Sequence, residues 1–580
     1  MGMAMKVSAL CISILAVLFS QSLATFPSSP LHSDFICQNT SHSDFCIYIL
    51  PSNKSHSIFY YANLSIHQSL LNARSFLASV DRFLALPSTS TSNRTIQALE
   101  DCRFLANHSL DFLSQISIGI NSKDGIKSGV ADDLHALLSA ALTNLETCFE
   151  GLEAVPLASR IKDRLFQSNA TKSVSVSLAI FRHWGPGSTK PGGSRRFPHM
   201  RRNSPLSLLM STNKQVIYEF ATGKKNIRIL TNGQVSVKHV VMVSPKGGGQ
   251  FRTINAAIAA APNNLGNTDQ YYVIYVAAGV YQEYISIPMN KQNLVLIGDG
   301  IGRTIITGSR SVPDGLTTFN TATFGKVQIS FKSCVPKFTF YRLICNSPAT
   351  AVAGKKFIAV DITFRNTAGP RKGQAVAVRN GADQSVFYRC SIEGYQDTLY
   401  VNAFRQFYKE CDIYGTVDFI FGDAAVVFQN CNIYTRRPLP GQYCTITAQG
   451  RGNPNEKTGY VIDNCVVKAA YGLASSKGMK KTYLGRPWKK YSRTVYVQSF
   501  MDSSIDPSGW IKWNGAFDSS VYYAEYGNKG PGSNTGFRIN WPGYHNHLNN
   551  YEVNQYTVSN FIDGGKWLPA TGVPFTASFH

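Results

Sequence analysis

Two periodicities divide the chain. Up to about residue 181, apolar side chains return every three or four positions. One run is Ile66, Leu70, Ala73, Leu77, Val80 and Leu84, and a second is Leu134, Leu138, Ala141, Leu145, Cys148 and Leu152. That spacing paints one apolar stripe along each helix and predicts an all-α antiparallel helical bundle. The stripes carry no cluster of metal-ligating or phosphate-binding residues, so they read as core. From about Val240 the pattern changes to short alternating runs of β-branched and aromatic residues, punctuated by glycine, as in NLVLIGDG and FIAVDITFRNTAG. These are strands. Phe251 to Pro262 reads instead as a short amphipathic helix capping one end of the β-rich part. Between the two halves, residues 184–236 are rich in Gly, Pro, Ser and basic residues and read as a linker. Its basic clusters suit either a processing protease or adherence to an acidic polymer.

The stretch from Phe387 to Gly422 repeats when shifted by 21 residues: Cys390 falls on Cys411, Ile392 on Ile413 and Asp397 on Asp418. Cys431 and Ile433 lie one further period along. A strand-rich repeat of about 20 residues predicts a parallel β-solenoid with one repeat per coil. Equivalent positions then lie about 4.8 Å apart, so Asp397 and Asp418 should stack on one face. Two carboxylates that close cannot both ionise freely, and their pKa values should separate. This pair is the candidate reaction centre; the alternative is an acidic ladder at a coil corner. Cys411 and Cys431, one coil apart, are at a spacing that suits a disulfide.

With 580 residues the chain has room for more than one domain. A formal net charge of +23 favours a polyanionic partner, either nucleic acid or an acidic polysaccharide. No nucleic-acid-binding motif accompanies that charge. Residues 1–24 carry Lys6, an apolar run and Ser22-Leu23-Ala24, the pattern of a secretory signal peptide. No later stretch is long enough to span a membrane. Of the 12 cysteines, Cys11 leaves with the signal, and Cys37–Cys46 and Cys102–Cys148 are candidate pairs in an oxidising compartment. Asn-X-Ser/Thr sequons at Asn39, Asn53, Asn63, Asn93, Asn107 and Asn169 fit a glycosylated, secreted surface.

Six blocks, in order, carry a resemblance: GVYQE (279–283), DITFRNTAGP (361–370), QAVAVR (374–379), YQDTLY (395–400), GTVDFIFG (415–422) and LGRPW (484–488). Residues 237–580 resemble the plant pectinesterases (pectin methylesterases). Residues 25–183, through ALEDC and LSAALTNLETC, resemble the pectinesterase-inhibitor domain that many of these enzymes carry as a pro-region. The resemblance implies an all-β right-handed parallel β-helix as catalytic domain, secretion to the cell wall, pectin as substrate and no cofactor. It makes the inhibitor-like region a candidate intramolecular restraint. It implies Asp418 as nucleophile and Asp397 as proton donor and acceptor, with Gln374 and Gln396 donating to an oxyanion. Arg486 would orient Asp418, and Thr318, Gln374, Arg486 and Trp488 would contact substrate. The family pairing also points to Cys411–Cys431.

The physical requirements of those roles agree. An attacking carboxylate must be ionised and oriented, which a bidentate arginine does, and its neighbour must hold a proton for the leaving methoxide. The chain also departs from the pattern. About 25 residues, roughly 325–348, interrupt the family sequence and bring Cys334 and Cys345. They are expected to bulge from the stack near the groove, as a mis-spliced or mispredicted segment would. The dibasic processing motif is altered to Arg201-Arg202-Asn203 or Lys224-Lys225-Asn226, and an acidic turn is replaced by Pro245-Lys246-Gly247-Gly248-Gly249. Two competing readings follow: a glycosidase on the same polymer, which also uses paired carboxylates, and an inhibitor or wall-binding protein whose catalysis the insert impairs.

Overall fold

The computed structural model describes residues 30–579 apart from 52–54, 87–91, 121–127, 156–157, 185–218, 220–235, 268–269, 326–353, 475–480, 514 and 516. The expected signal peptide (1–24), nearly all of the expected linker (184–236) and most of the 325–348 stretch lie outside the described residues. Two compact units are present: Met1–Phe76, His108–Leu142 and Ser168–Ser194 form one, and Leu77–Asn107, Thr143–Gln167 and Arg195–His580 the other.

The first unit is helical. Its helical residues bury Tyr61, Ile66, Phe76, Leu113, Leu138 and Leu178. Ser69 and Ser177, both buried, satisfy each other at 3.1 Å across the packed faces. Cys37 and Cys46 are joined with a Cα separation of 5.5 Å, close enough to hold a short helical hairpin.

The second unit is built on a parallel β-helix. Its strands form three parallel sheets of 11, 8 and 5 strands, and each coil contributes to them in turn. The repeat registers as its spacing requires: Ile392 pairs with Ile413 and Ile413 with Ile433. Inside the coils, Phe387, Tyr408 and Phe428 stack with ring centroids 5.0 and 4.9 Å apart. At one corner a residue of left-handed φ recurs in successive coils: Asp361, Arg389, Glu410, Asn430, Asn464 and Gln498. Asp397 (φ 59°) and Asp418 (φ 49°) occupy another such corner.

The cap helix spans Ile254–Ala260, with Thr253 as its N-cap. Glu283 accepts the first helical N–H groups, from Ile254 and Asn255. The C-terminal tail is more ordered than its weak periodicity suggests. Strand Tyr522–Tyr526 extends the largest sheet, and short helices seat Tyr556, Phe561, Trp567 and Leu568 against that sheet's outer apolar face.

Cys102 and Cys148 are bonded within this unit, with a Cα separation of 4.6 Å. The Cys411–Cys431 pairing is corrected: both are buried free thiols, as are Cys390 and Cys465. Stacking brings the two residues close but points their sulfurs the same way along the helix axis. Cys411 Sγ donates to Phe387 O and Cys431 Sγ to Tyr408 O, while Cys431 Sγ accepts the N–H of Cys411. Cys431 N–H in turn donates to Cys465 Sγ, and Cys465 N–H to Ser499 Oγ. The thiols thus act as rungs of a hydrogen-bonded ladder.

Candidate active site

A cavity of about 470 Å³ lies within the second unit and is lined by Thr318, Gln374, Gln396, Asp397, Asp418, Arg486 and Trp488. All seven residues singled out in the sequence therefore face one space. Strands Leu399–Val401 and Ile420–Gly422 pair in register, Leu399 with Ile420, which sets Asp397 directly above Asp418 one coil away. Each aspartate sits two residues before its strand.

Asp418 is buried and tightly held. Arg486 donates to it bidentately, Nε to Oδ1 at 2.8 Å and Nη2 to Oδ2 at 2.6 Å. Thr445 Oγ1 donates to Oδ1 at 2.6 Å and accepts the Asp418 backbone N–H at 2.8 Å. Arg486 itself lies 4.0 Å from the centroid of Trp513, so its guanidinium is held by Asp418 along one edge and by the indole over one face. Asp397 has the opposite electrostatics. Burial pushes its pKa well above the usual carboxylate range, and the Asp418 charge adds to that, with Arg486 opposing. One carboxylate is thus clamped by an arginine, and its neighbour is driven toward the protonated form.

Gln374 and Gln396 belong to adjacent coils: the Ala375 N–H donates to Gln396 O. Thr318 opens a short 3-10 turn, Thr318–Asn320. An aromatic wall completes the site, with Tyr400 stacked on Phe421 at 4.3 Å and Phe421 edge-on to Trp488 at 6.0 Å. Trp488 needs Gly450 beneath it, because a Cβ there would stand 2.8 Å from the indole.

Several site residues escaped the sequence reading. Thr445 pairs with Asp418 across a coil of 27 residues rather than 21, so a fixed period passes over it. Arg379, fully buried, lies 3.3 Å from the Phe319 ring centroid and donates to Phe319 O. Part of the remaining wall comes from helical residues of this unit, among them Thr147, Glu150 and Gly151. Asp101 accepts from Thr317 and Asn320, both at 2.6 Å, and Thr143 donates to Asp423 at 2.9 Å. Burial raises Asp101 to about 6 and Asp423 to about 6, with these hydrogen bonds opposing. Among the described residues, no group of three or more His, Cys, Asp or Glu could hold a metal ion, and no helix is long and apolar enough to cross a membrane.

Known proteins share this architecture. The pectinesterase family model matches residues 240–334 and 337–565, and the plant invertase/pectin methylesterase inhibitor model matches 34–180. A probable pectinesterase/pectinesterase inhibitor 7 of Arabidopsis thaliana is 44% identical, the match covering 96% of this chain and 97% of that one. Pectinesterase 2 of Citrus sinensis is 43% identical over 98% of both chains. The solved pectin methylesterase from carrot is 44% identical, matching 60% of this chain and 100% of its own with a TM-score of 0.53. With a carboxylate pair, an arginine clamp and whole-chain likeness in agreement, the chain belongs to the pectinesterase family of carboxylic ester hydrolases, joined here to an inhibitor-type helical domain.

Proposed function

We propose that the chain, secreted to the cell wall, hydrolyses the methyl esters of polygalacturonate through Asp418. The observation that carries this reading is the opposed pair: Asp418 gripped by Arg486, and Asp397 stacked above it with its pKa raised. Asp418 Oδ attacks the ester carbonyl carbon, and the oxyanion that forms is met by the side-chain amides of Gln374 and Gln396. Asp397 gives its proton to the methoxy oxygen as the C–O bond breaks, and methanol leaves. Asp397, now ionised, takes a proton from water, whose oxygen attacks the acyl carbon and frees Asp418. Thr318 and Trp488 bound the sugar.

The helical residues supply the second part of the reading. Residues 25–183 act as a pro-domain that restrains the catalytic domain, 237–580, with 184–236 as the linker between them. Thr147, Glu150 and Gly151 line the same cavity as both aspartates, where a polymer would otherwise lie.

Methylated pectin tests the chemistry. Methanol should appear with no new reducing ends, and Asp418→Ala and Asp397→Asn should each lose turnover by a factor of about 10³ or more with the fold retained. Reducing ends without methanol would favour a glycosidase. More than a few per cent of activity left in Asp418→Ala would remove it as nucleophile.

A further inference from the structure

Asp397 and Asp418 are two rungs of one ladder, and the strand register names the third. Ile420 pairs with Thr447, so the residue one coil beyond Asp418 is Thr445, in strand Cys444–Gln449. A third carboxylate on this rung would repel Asp418, whereas a hydroxyl can donate to it. Thr445 is fully buried. Its backbone also bridges the corner that carries Asp418. The Thr445 N–H donates to Thr416 O at 3.0 Å, and Thr445 O accepts the Phe419 N–H at 3.4 Å.

The hydroxyl has one proton to give and lone pairs that accept. It accepts the Asp418 N–H at 2.8 Å and donates to Asp418 Oδ1 at 2.6 Å, the length of a charge-assisted O–H···O bond. Oδ1 thus takes two donors, Thr445 Oγ1 and Arg486 Nε, the latter at 2.8 Å. Among the described residues, Oδ2 takes Arg486 Nη2 alone. A carboxylate oxygen has room for about two such bonds. Oδ1 is therefore full, and Oδ2 keeps a lone pair. Arg486 spans both oxygens without distinguishing them; Thr445 makes them unequal.

Resting on the esterase reading, we propose that Thr445 is a positioning residue whose hydroxyl ties Oδ1 of Asp418 to the Asp418 backbone N–H and so leaves Oδ2 as the attacking atom. An Oδ2 lone pair forms the bond to the acyl carbon, and the carbonyl π pair moves to the oxyanion oxygen. That pair returns as the C–O bond to methoxide breaks, and the Asp397 proton goes to the methoxide oxygen. Oδ1 becomes the carbonyl oxygen of the mixed anhydride, still within reach of the Thr445 hydroxyl. When water cleaves the anhydride, the charge returns to a carboxylate that has kept its place.

Two substitutions in the full chain separate the hydroxyl of Thr445 from its methyl group. Thr445→Val keeps the shape, and kcat for methanol release from methylated pectin should fall about 10–100-fold per folded molecule with KM little changed. Thr445→Ser keeps the hydroxyl, and kcat should stay within about threefold while the denaturation midpoint drops. A crystal structure of Thr445→Val needs no turnover and should show the Asp418 carboxylate turned out of its two-point contact with Arg486. A carboxylate that keeps its place in Thr445→Val overturns the proposal whatever kcat does. A loss of kcat in Thr445→Ser as large as in Thr445→Val overturns it too, since packing would then be the residue's role. Should Thr445→Val fail to fold, Thr445→Ser decides alone: retained kcat supports the role, and a loss beyond about tenfold overturns it. A carboxylate that turns in Thr445→Val, in a chain whose wild type releases no methanol, would sink the esterase reading and leave the positioning contact standing.

Discussion

The same coils carry two ladders that obey different rules. The inner one, Ile362, Cys390, Cys411, Cys431, Cys465 and Ser499, fills the interior, and from Cys411 to Ser499 it passes a hydrogen bond from coil to coil. The groove-facing one changes character at every step. Asp397 is buried without an arginine clamp of its own, whereas Asp418 has both Arg486 and Thr445. Identical spacing therefore yields interchangeable residues where the environment repeats and individual residues where it does not. Stability should reside in the first ladder and its aromatic neighbours, and chemistry in the second.

Four substitutions press on that division. Phe387→Ala removes a ring that stacks on Tyr408 and meets Phe357 and Phe364 edge-on. It should cost about 3–5 kcal/mol of stability while leaving kcat per folded molecule unchanged. Denaturant midpoints and active-site titration check this, and a fall in kcat would merge the two ladders. Arg486→Lys keeps the charge but loses the fork, so kcat should drop about 100-fold, near 2.7 kcal/mol of barrier, with the melting temperature little moved. Equal loss of stability and activity would mean that the arginine is merely structural.

Asp101→Asn probes the helical contact through pH. Asp101 is 3% exposed and its pKa lies near 6 in the folded chain, against about 3.8 unfolded. The folded state therefore binds the extra proton, and stability is lost as pH rises from about 4 to 6. Removing the charge should lift stability above pH 6 by up to about 2–3 kcal/mol and leave pH 4 nearly unchanged. Melting curves at the two pH values decide, and parallel shifts would exclude Asp101 as the source. Cys431→Ala is the mildest, costing about 1 kcal/mol for one rung, with no change in kcat and no response to reductant. A reductant-sensitive wild type would restore a disulfide at this position.

The fold was legible because its period is short and its register nearly invariant: 21 residues carry Cys390 to Cys411 and also Asp397 to Asp418. The helical stripes were legible for the same reason, Leu134, Leu138, Ala141, Leu145, Cys148 and Leu152 all being buried. Spacing told which residues are neighbours and not where their side chains point, which is how Cys411 and Cys431 were paired. Thr445 was hidden by a coil six residues longer than its predecessor. The ion pair of Lys489 with Glu146 was hidden more deeply, because the two stand 343 positions apart and no local pattern joins them. Distant carboxylates meet only after both parts have folded.

The left-handed corner carries a last consequence. A non-glycine residue in that conformation is disfavoured by roughly 1–2 kcal/mol, least so for Asp and Asn. Here it recurs coil after coil because each corner is wedged between those above and below. Asp397 and Asp418 are held in that conformation as well, so the direction in which each Cα–Cβ bond leaves the backbone is set by the stack. A reacting group whose backbone is fixed before substrate arrives has less to reorganise during turnover. The scaffold does more than display the reacting groups: its rigidity along the axis is itself a kinetic property of the enzyme.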